Sequence, residues 1–224
     1  MHHTMLPEFG LQVHTAAMIW VIIGIIVLSF IATRSLTFVP GKLQGLFEFF
    51  IEAFLKLVDE NMGHNGRKYF PVIMTFVLYI FFSNLMGLIP GMQPPTANIN
   101  TTLGLALISF GLTHVIGFKE HGFKYLKHFI GPIWWLAPLM LPIEVIGHFA
   151  RPLSLSLRLF GNMMGHEQVA TVLLILMTIP ALRAVAFPLL FISSLLGIIV
   201  IFVQTFIFSL LTMLYIGGAL EEAH

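Results

Sequence analysis

Between Pro142 and Glu167 the chain reads PIEVIGHFARPLSLSLRLFGNMMGHE, and its polar residues keep a regular beat. Glu144, His148, Arg151, Ser154, Arg158, Asn162 and His166 follow one another at steps of 4, 3, 3, 4, 4 and 4. Steps of three and four hold one face of an α-helix. Leu153, Leu155, Leu157, Leu159 and Phe160 fill the other faces. One stripe of ionisable and hydrogen-bonding groups therefore runs along an otherwise apolar helix. Pro152 can bend that helix without destroying the register.

Arg158 is the residue with the sharpest chemical demand. A charge near the centre of a bilayer costs at least about 2.5–3.5 kcal/mol, and such residues usually serve function. Arg151 is placed to snorkel to the inner surface. Arg158 lies seven residues further, about 10 Å along the axis, and reaches that surface less easily. Its guanidinium stays charged, so it needs a counter-charge or water. Glu144 is too far along the helix to pair with it closely, and Glu167 is rotated toward a neighbouring face. The partner of Arg158 is therefore expected on another subunit or on the facing helix; a structural pair within the chain is the alternative. A second, weaker set lies further on, where Ser193, Gly197 and Gln204 share a face at steps of 4 and 7. Gln204 both donates and accepts hydrogen bonds, as a water-lined path requires. It also suits a simple role as glue between helices.

Composition says what must position these groups. The 224 residues are 58% hydrophobic and only 9% charged, with a mean hydropathy of +0.94. A soluble domain carries about 25% charged residues, so the natural solvent of this chain is the bilayer. A net charge of +1 gives no electrostatic support for nucleic-acid binding. The absence of cysteine excludes disulfides, thiol nucleophiles and thiolate metal sites. Ten histidines are present, but no HExxH or similar ligand pair occurs, and His2 and His3 sit at an unanchored end. No metal and no cofactor is expected. No GxxxxGK[ST] loop occurs, so nucleotide chemistry by this chain itself is disfavoured.

Charge-free runs mark the spans, about 20 apolar residues crossing a core roughly 30 Å thick. The first is Thr15–Thr33, read as a retained signal-anchor helix and not a cleaved leader. Pro71–Gly117 contains no Asp, Glu, Lys or Arg and breaks at Gly87–Gly91 and Pro94–Pro95. It gives two helices, near Pro71–Ile89 and Ile99–Gly117. Between the first two spans, Gly41–Met62 spaces Leu43, Leu46, Phe47, Phe50, Phe54, Leu57 and Val58 by threes and fours, with Glu48, Glu52, Lys56, Asp59 and Glu60 elsewhere. That is an amphipathic helix for the inner membrane surface or for a partner. Two long apolar regions follow, near Ile133–Ile179 and Phe187–Leu220. Phe187–Gly218 has 32 residues without a charge, about 48 Å as one helix. Crossing a core of about 30 Å, such a helix tilts by about 50°. The alternative is an ordinary helix kinked at Gly197. The expected architecture is one all-α integral membrane domain over residues 1–224. It has five or six membrane helices, an amphipathic surface helix at 41–62, and a long, steeply tilted hairpin over 133–218.

Lys and Arg set the orientation. The first 33 residues have neither; Arg34, Lys42, Lys56, Arg67 and Lys68 fall between the first two spans, and Lys119, Lys124 and Lys127 follow the third. The N-terminus is expected outside, and the terminal Glu221 and Glu222 inside.

Ser156-Leu157-Arg158-Leu159-Phe160-Gly161-Asn162-Met163 resembles the signature of subunit a of F-type ATP synthases. Pro142-Ile143-Glu144, Pro152-Leu153-Ser154, Pro95-Thr96-Ala97-Asn98-Ile99-Asn100 and Gln204-Thr205-Phe206-Ile207-Phe208 match in family order, and the resemblance covers nearly the whole chain. It implies that Arg158 corresponds to the essential arginine facing the carboxylate on each subunit of the rotating c-ring. It implies that Glu167 and Gln204 belong to the proton path, with Asn162, Glu144 and Ser154 beside it; His166, a member of the stripe, is expected on the same path. The implied partners are the c-ring, the peripheral-stalk subunit b, other synthase subunits and lipid, with the nucleotide chemistry on partner subunits. The implied place is a bacterial inner membrane. Two departures stand out: Asn98 where an acidic residue is common, and Gly197 where some members carry an ionisable side chain. Water, His166 or Glu167 would then serve in place of the latter. The competing readings are a secondary transporter, with Arg158 as an anion site and Glu167 as a relay, and a purely structural membrane subunit. Transporters often show internal repeats and none is evident here, while a structural subunit leaves the stripe unexplained.

Overall fold

The computed structural model describes residues 13–34, 41–89, 92–122, 125 and 137–220. Among the described residues there are six α-helices: α1 (Val13–Thr33), α2 (Lys42–Met62), α3 (Phe70–Met86), α4 (Ile99–His121), α5 (Ala137–Met177) and α6 (Arg183–Leu220). Short 3₁₀ turns at His64–Tyr69 and Pro95–Ala97 lead into α3 and α4. The expectations for Lys124, Lys127, Glu221 and Glu222 lie outside the described residues, as does the side chain of Glu144 near the start of α5.

Local chemistry sets the ends. Gly63 and Gly122 follow α2 and α4 with φ of 66° and 56°, a left-handed backbone that glycine enters without a Cβ penalty. Asn98 caps α4, its side chain accepting the Asn100 backbone N–H at 2.9 Å. Pro71 sits in the first turn of α3, where its missing N–H costs nothing.

Four segments, Val13–Thr33, His64–Met86, Ile99–His121 and Arg183–Leu220, are long and apolar enough to cross a membrane. The polar stripe keeps α5 out of that set. The Ile133–Ile179 region is one unbroken helix from Ala137 to Met177, with Pro142 and Pro152 inside it. Among the described residues that region is thus one helix, the undivided of the two expected readings. At 41 and 38 residues, α5 and α6 are about 62 Å and 57 Å long. Each is about twice the roughly 30 Å core, so neither stands upright within one bilayer. α6 continues through Gly197, and Pro188 is accommodated in its second turn.

The helices bury two apolar clusters. Val21, Phe76, Tyr79, Ile80, Ala106, Leu155, Leu159 and Phe208 join α1, α3, α4, α5 and α6. Phe54, Val58, Met62, Ile73, Val77, Ile116, Met213 and Ile216 join α2, α3, α4 and α6. Phe54, Val58 and Met62 recur every four residues, so the C-terminal half of the apolar face of α2 is spent on the bundle. Towards its other end, Leu46 and Phe49 stand exposed. Outside the clusters, Ile26, Phe30, Val115, Phe149 and Phe191 are all more than 60% exposed. So large an apolar surface is a liability in water and the ordinary state in lipid.

The polar ends are pinned by charge. Arg67 grips Asp59 through two hydrogen bonds of 2.6 Å, and Lys68 and Tyr69 both reach Glu120 at the end of α4. The Arg67 hydrogen bond holds the Asp59 carboxyl below the usual carboxylate range.

Candidate functional site

The α5–α6 hairpin carries the site. At about 100° per residue, the stripe residues of α5 occupy roughly a third of its circumference. Leu155 and Leu159 turn into the bundle and are at most 2% exposed. Ser154, Leu157, Arg158, Gly161 and Asn162 turn out of it and are exposed. Among the described residues, Arg158 has no ion-pair or hydrogen-bond partner. Gly161 and Gly165 are open, with nothing within 4 Å of an added Cβ, so a neighbouring helix can come close beside the guanidinium.

Two polar contacts tie this face to α6. Asn162 Nδ2 donates to Gln204 Oε1 at 2.9 Å. Gln204 is 1% exposed, and its Nε2 is buried without a protein partner. One turn further along α5, His166 lies over Gly197, and a Cβ built on Gly197 would run into the His166 Nε2 and Cδ2 atoms. That Nε2 is buried and also lacks a protein partner. The imidazole thus fills from α5 the space that a side chain at 197 would fill from α6. His148 stands 18 residues before His166, five full turns of helix, on the same inward edge of the stripe.

Other expected site residues separate. Glu167 lies nine residues from Arg158, half a turn away around the helix. It is half-buried and has no hydrogen-bond or ion-pair partner among the described residues. The structure does not bring it to Arg158. Ser154 shares the exposed face with Arg158 one turn earlier. Ser193 is half-buried and is not joined to Gln204 by a hydrogen bond.

Reading the sequence missed a buried polar layer behind the stripe. Thr96 Oγ1 donates to Asn84 Oδ1 at 2.7 Å, and both residues are fully buried. The Asn84 Nδ2 has no protein partner. Thr102 meets Ser156 at 3.1 Å, and Ser109 meets Thr212 at 3.1 Å. Asn84, His166 and Gln204 each bury an amide or imidazole nitrogen without a protein partner, as His14 and His121 do elsewhere among the described residues. Buried polar atoms of this kind are normally satisfied by ordered water. The available signal was small polar residues interrupting apolar runs, which mark the inward face of a membrane helix.

The family model described as ATP synthase A chain matches residues 15–217. The chain is 53% identical over 219 residues to ATP synthase subunit a 1 of Syntrophotalea carbinolica, covering 98% of this chain and 90% of the relative. It is 53% identical over 204 residues to ATP synthase subunit a of Geobacter sulfurreducens, covering 91% and 86%. The same identity over 204 residues holds for the subunit a of Trichlorobacter lovleyi, covering 91% and 85%. The chain belongs to the ATP synthase subunit a family. It is accordingly a multi-pass membrane protein, and the stripe on α5 lies within the matched span. Family membership gives Arg158 a context in which an unpartnered cation on an open face is useful: a subunit of a larger complex has neighbours to supply what one chain lacks.

Proposed function

We propose that this chain is the proton-translocating stator subunit of an F-type ATP synthase. It lies in a bacterial inner membrane, with its N-terminus outside and its C-terminus in the cytoplasm. Its partners are the c-ring, subunit b and the other synthase subunits. The observation that carries the reading is Arg158, a permanent cation on an exposed, glycine-flanked face of a membrane helix, with no counter-charge among the described residues.

A proton from outside travels through a hydrated half-channel beside Asn162, His166, Glu167 and Gln204. The three buried nitrogens on Asn84, His166 and Gln204 support water in that region. The proton neutralises a carboxylate on the ring, which can then face lipid cheaply. After nearly a full turn the carboxylate meets a second, inner half-channel, beside Glu144 and Ser154, and releases its proton. Arg158 stands between the two. Its charge favours the ionised carboxylate and repels protons that would otherwise pass straight through. The membrane potential supplies about 2.3 kcal/mol per charge per 100 mV. The tilted α5–α6 hairpin lays this machinery along the ring. The test is ATP-driven proton pumping in inverted vesicles carrying the assembled complex. Arg158→Ala abolishes pumping while ATP hydrolysis remains detectable. Pumping at the wild-type rate would make the stripe structural and end the proposal.

A further inference from the structure

The apolar face of α2 is only half used. Phe54, Val58 and Met62 pack on the bundle, while Leu46 and Phe49, toward the other end, are 64% and 71% exposed. Between that free half and the wall made by α3 and α6 lies a groove of about 710 Å³, and the residues lining it are all among those described. Leu46, Phe50 and Phe54 face it from α2, Phe81 from α3, and Phe202 and Phe206 from α6. The rings brace one another: Phe50 meets Phe54 with ring centres 4.8 Å apart, and Phe81 meets Phe202 at 5.2 Å. The lining leaves no polar side chain free. Its one hydroxyl, on Thr205, already donates to the Ile201 carbonyl at 2.8 Å. Such a lining suits hydrocarbon.

What lies over the groove decides which hydrocarbon. Lys42, Glu48, Glu52, Lys56, Asp59 and Glu60 put six charges into the 21 residues of α2. So charged a helix does not cross the core; it lies along the interface with its apolar face turned down. A spanning helix of another subunit that ran up this groove would collide with α2. An acyl chain enters sideways from its own leaflet and ends inside.

The charge at the lip selects the headgroup. Lys42 precedes Leu46 and Phe49 by four and seven residues, so it stands on the same edge of α2. It is exposed, and among the described residues it has no carboxylate partner. It also occupies the first turn of α2, where the helix dipole adds positive charge. Glu48 and Glu52 turn to roughly the opposite side of the helix. Glu60 shares the edge of Lys42 but lies 18 residues further, about 27 Å away. α3 carries no charged residue, and Arg183 of α6 lies 19 residues before Phe202.

We propose that this groove binds an anionic phospholipid, with its acyl chain against α3 and α6 and its phosphate at Lys42. The lipid belongs to the leaflet in which α2 lies, the inner one by the orientation proposed above. It backs α6 from outside, since Phe202 and Phe206 stand two residues either side of Gln204 and on the face away from it. The site requires a bilayer and stands whether or not protons pass along the hairpin.

The experiment uses the assembled complex in phosphatidylcholine vesicles. They carry a trace of photoactivatable phosphatidylglycerol or, separately, of photoactivatable phosphatidylcholine. After illumination, labelled residues are mapped by peptide mass spectrometry. Labelling in the groove is divided by labelling at Ile26 and Phe30, exposed on α1, which bulk lipid reaches. One lysine at an anionic surface is worth about fivefold in binding. The wild-type ratio is therefore about fivefold higher with phosphatidylglycerol than with phosphatidylcholine. Lys42→Gln brings the two ratios together, and Lys42→Arg keeps them apart. The side chain is exposed, so neither change disturbs the fold. Equal ratios in wild type mean that the groove holds bulk lipid without selection, and overturn the proposal. A preference that survives in Lys42→Gln overturns it as well. So does a groove left unlabelled while α1 is labelled, which means that another subunit fills it. None of these results bears on Arg158→Ala, whose pumping tests the proton path separately.

Discussion

Gly197→Ala adds one methyl group where the structure has no room for it. The new Cβ would overlap the His166 Nε2 and Cδ2 atoms, so either the imidazole swings away or α5 and α6 part. Overpacking of this kind costs about 1–3 kcal/mol. If the imidazole yields, it leaves the neighbourhood of the Asn162–Gln204 contact, and transport suffers. If the helices part, the complex melts earlier. The two outcomes separate in a double-mutant cycle. In a His166→Ala background the methyl meets no ring and only the Leu88 Cδ2 contact at 3.1 Å remains, so most of its penalty goes. The predicted coupling equals the clash, about 1–3 kcal/mol, or about 5- to 150-fold in the rate ratio. The assay is the ratio of pumping to hydrolysis for wild type, both single variants and the double variant, with a thermal melt of each complex. Gly197→Ala alone is expected to pump about as poorly as His166→Ala, and the double variant no worse than either. Penalties that add, in both transport and melting, to within about 0.3–0.5 kcal/mol, less than about threefold, would refute the reasoning. They would mean that the imidazole is not over Gly197, or that it does nothing there.

Three further outcomes follow from other contacts. Gln204→Leu removes the acceptor of Asn162 and the buried Nε2 together; proton pumping should fall while hydrolysis persists, whereas Gln204→Glu, which keeps an acceptor, should retain part of the activity. Thr96→Val deletes the 2.7 Å bond to Asn84 and leaves a fully buried amide with one partner fewer, which costs about 1–3 kcal/mol and is read as a lower melting temperature of the complex. Asp59→Asn removes the bidentate grip of Arg67. Because the folded Asp59 pKa is depressed, the contribution of that pair is present above the ordinary carboxylate pKa and lost as pH falls through the folded value. The variant should therefore melt below wild type at neutral pH and match it in acid, with the gap shrinking in high salt.

The parts of this protein that could be read from its sequence are those in which one residue type has only one stable setting. A run such as Pro71–Gly117 without a charge has to be membrane helix. The length of Phe187–Gly218 exceeds the bilayer, which favoured one long helix over a kink at Gly197, and α6 runs unbroken through that glycine. Periodicity likewise put Ser154, Arg158 and Asn162 on one face. Other features were hidden for equally physical reasons. A helical wheel assigns angles but not neighbours, so it could not say that the inward edge of the stripe would set His166 over Gly197 and His148 under Arg151. Proline alone does not say whether a helix bends or breaks, which left Ile133–Ile179 undivided or divided until its neighbours packed around it. The amphipathic face of α2 was plain, yet amphipathicity is the same signal for a membrane surface, a partner and a bundle.

Asn84 and Thr96 show the deepest reason. In water a threonine or an asparagine in an apolar run is unremarkable, because solvent can satisfy it. In a bilayer such a group needs a partner, in its own helix or in a neighbour, which favours an inward position. Asn84, Thr96, Thr102, Ser109, Ser156, Gln204 and Thr212 are all buried, where α3, the turn at Pro95–Ala97 and α4 pack against the hairpin that exposes Arg158. The polar groups satisfied by the chain itself hold the helices together. Asn84, His166 and Gln204 each bury a nitrogen that the chain does not satisfy, and positions of that kind offer water a reason to enter. A proton path through this subunit is therefore expected to follow the unsatisfied atoms and to pass by the paired ones. Replacing Ser109 and Thr212 by alanine and valine should thus lower stability and leave the ratio of pumping to hydrolysis intact, while the same truncation at Gln204 should lower the ratio itself.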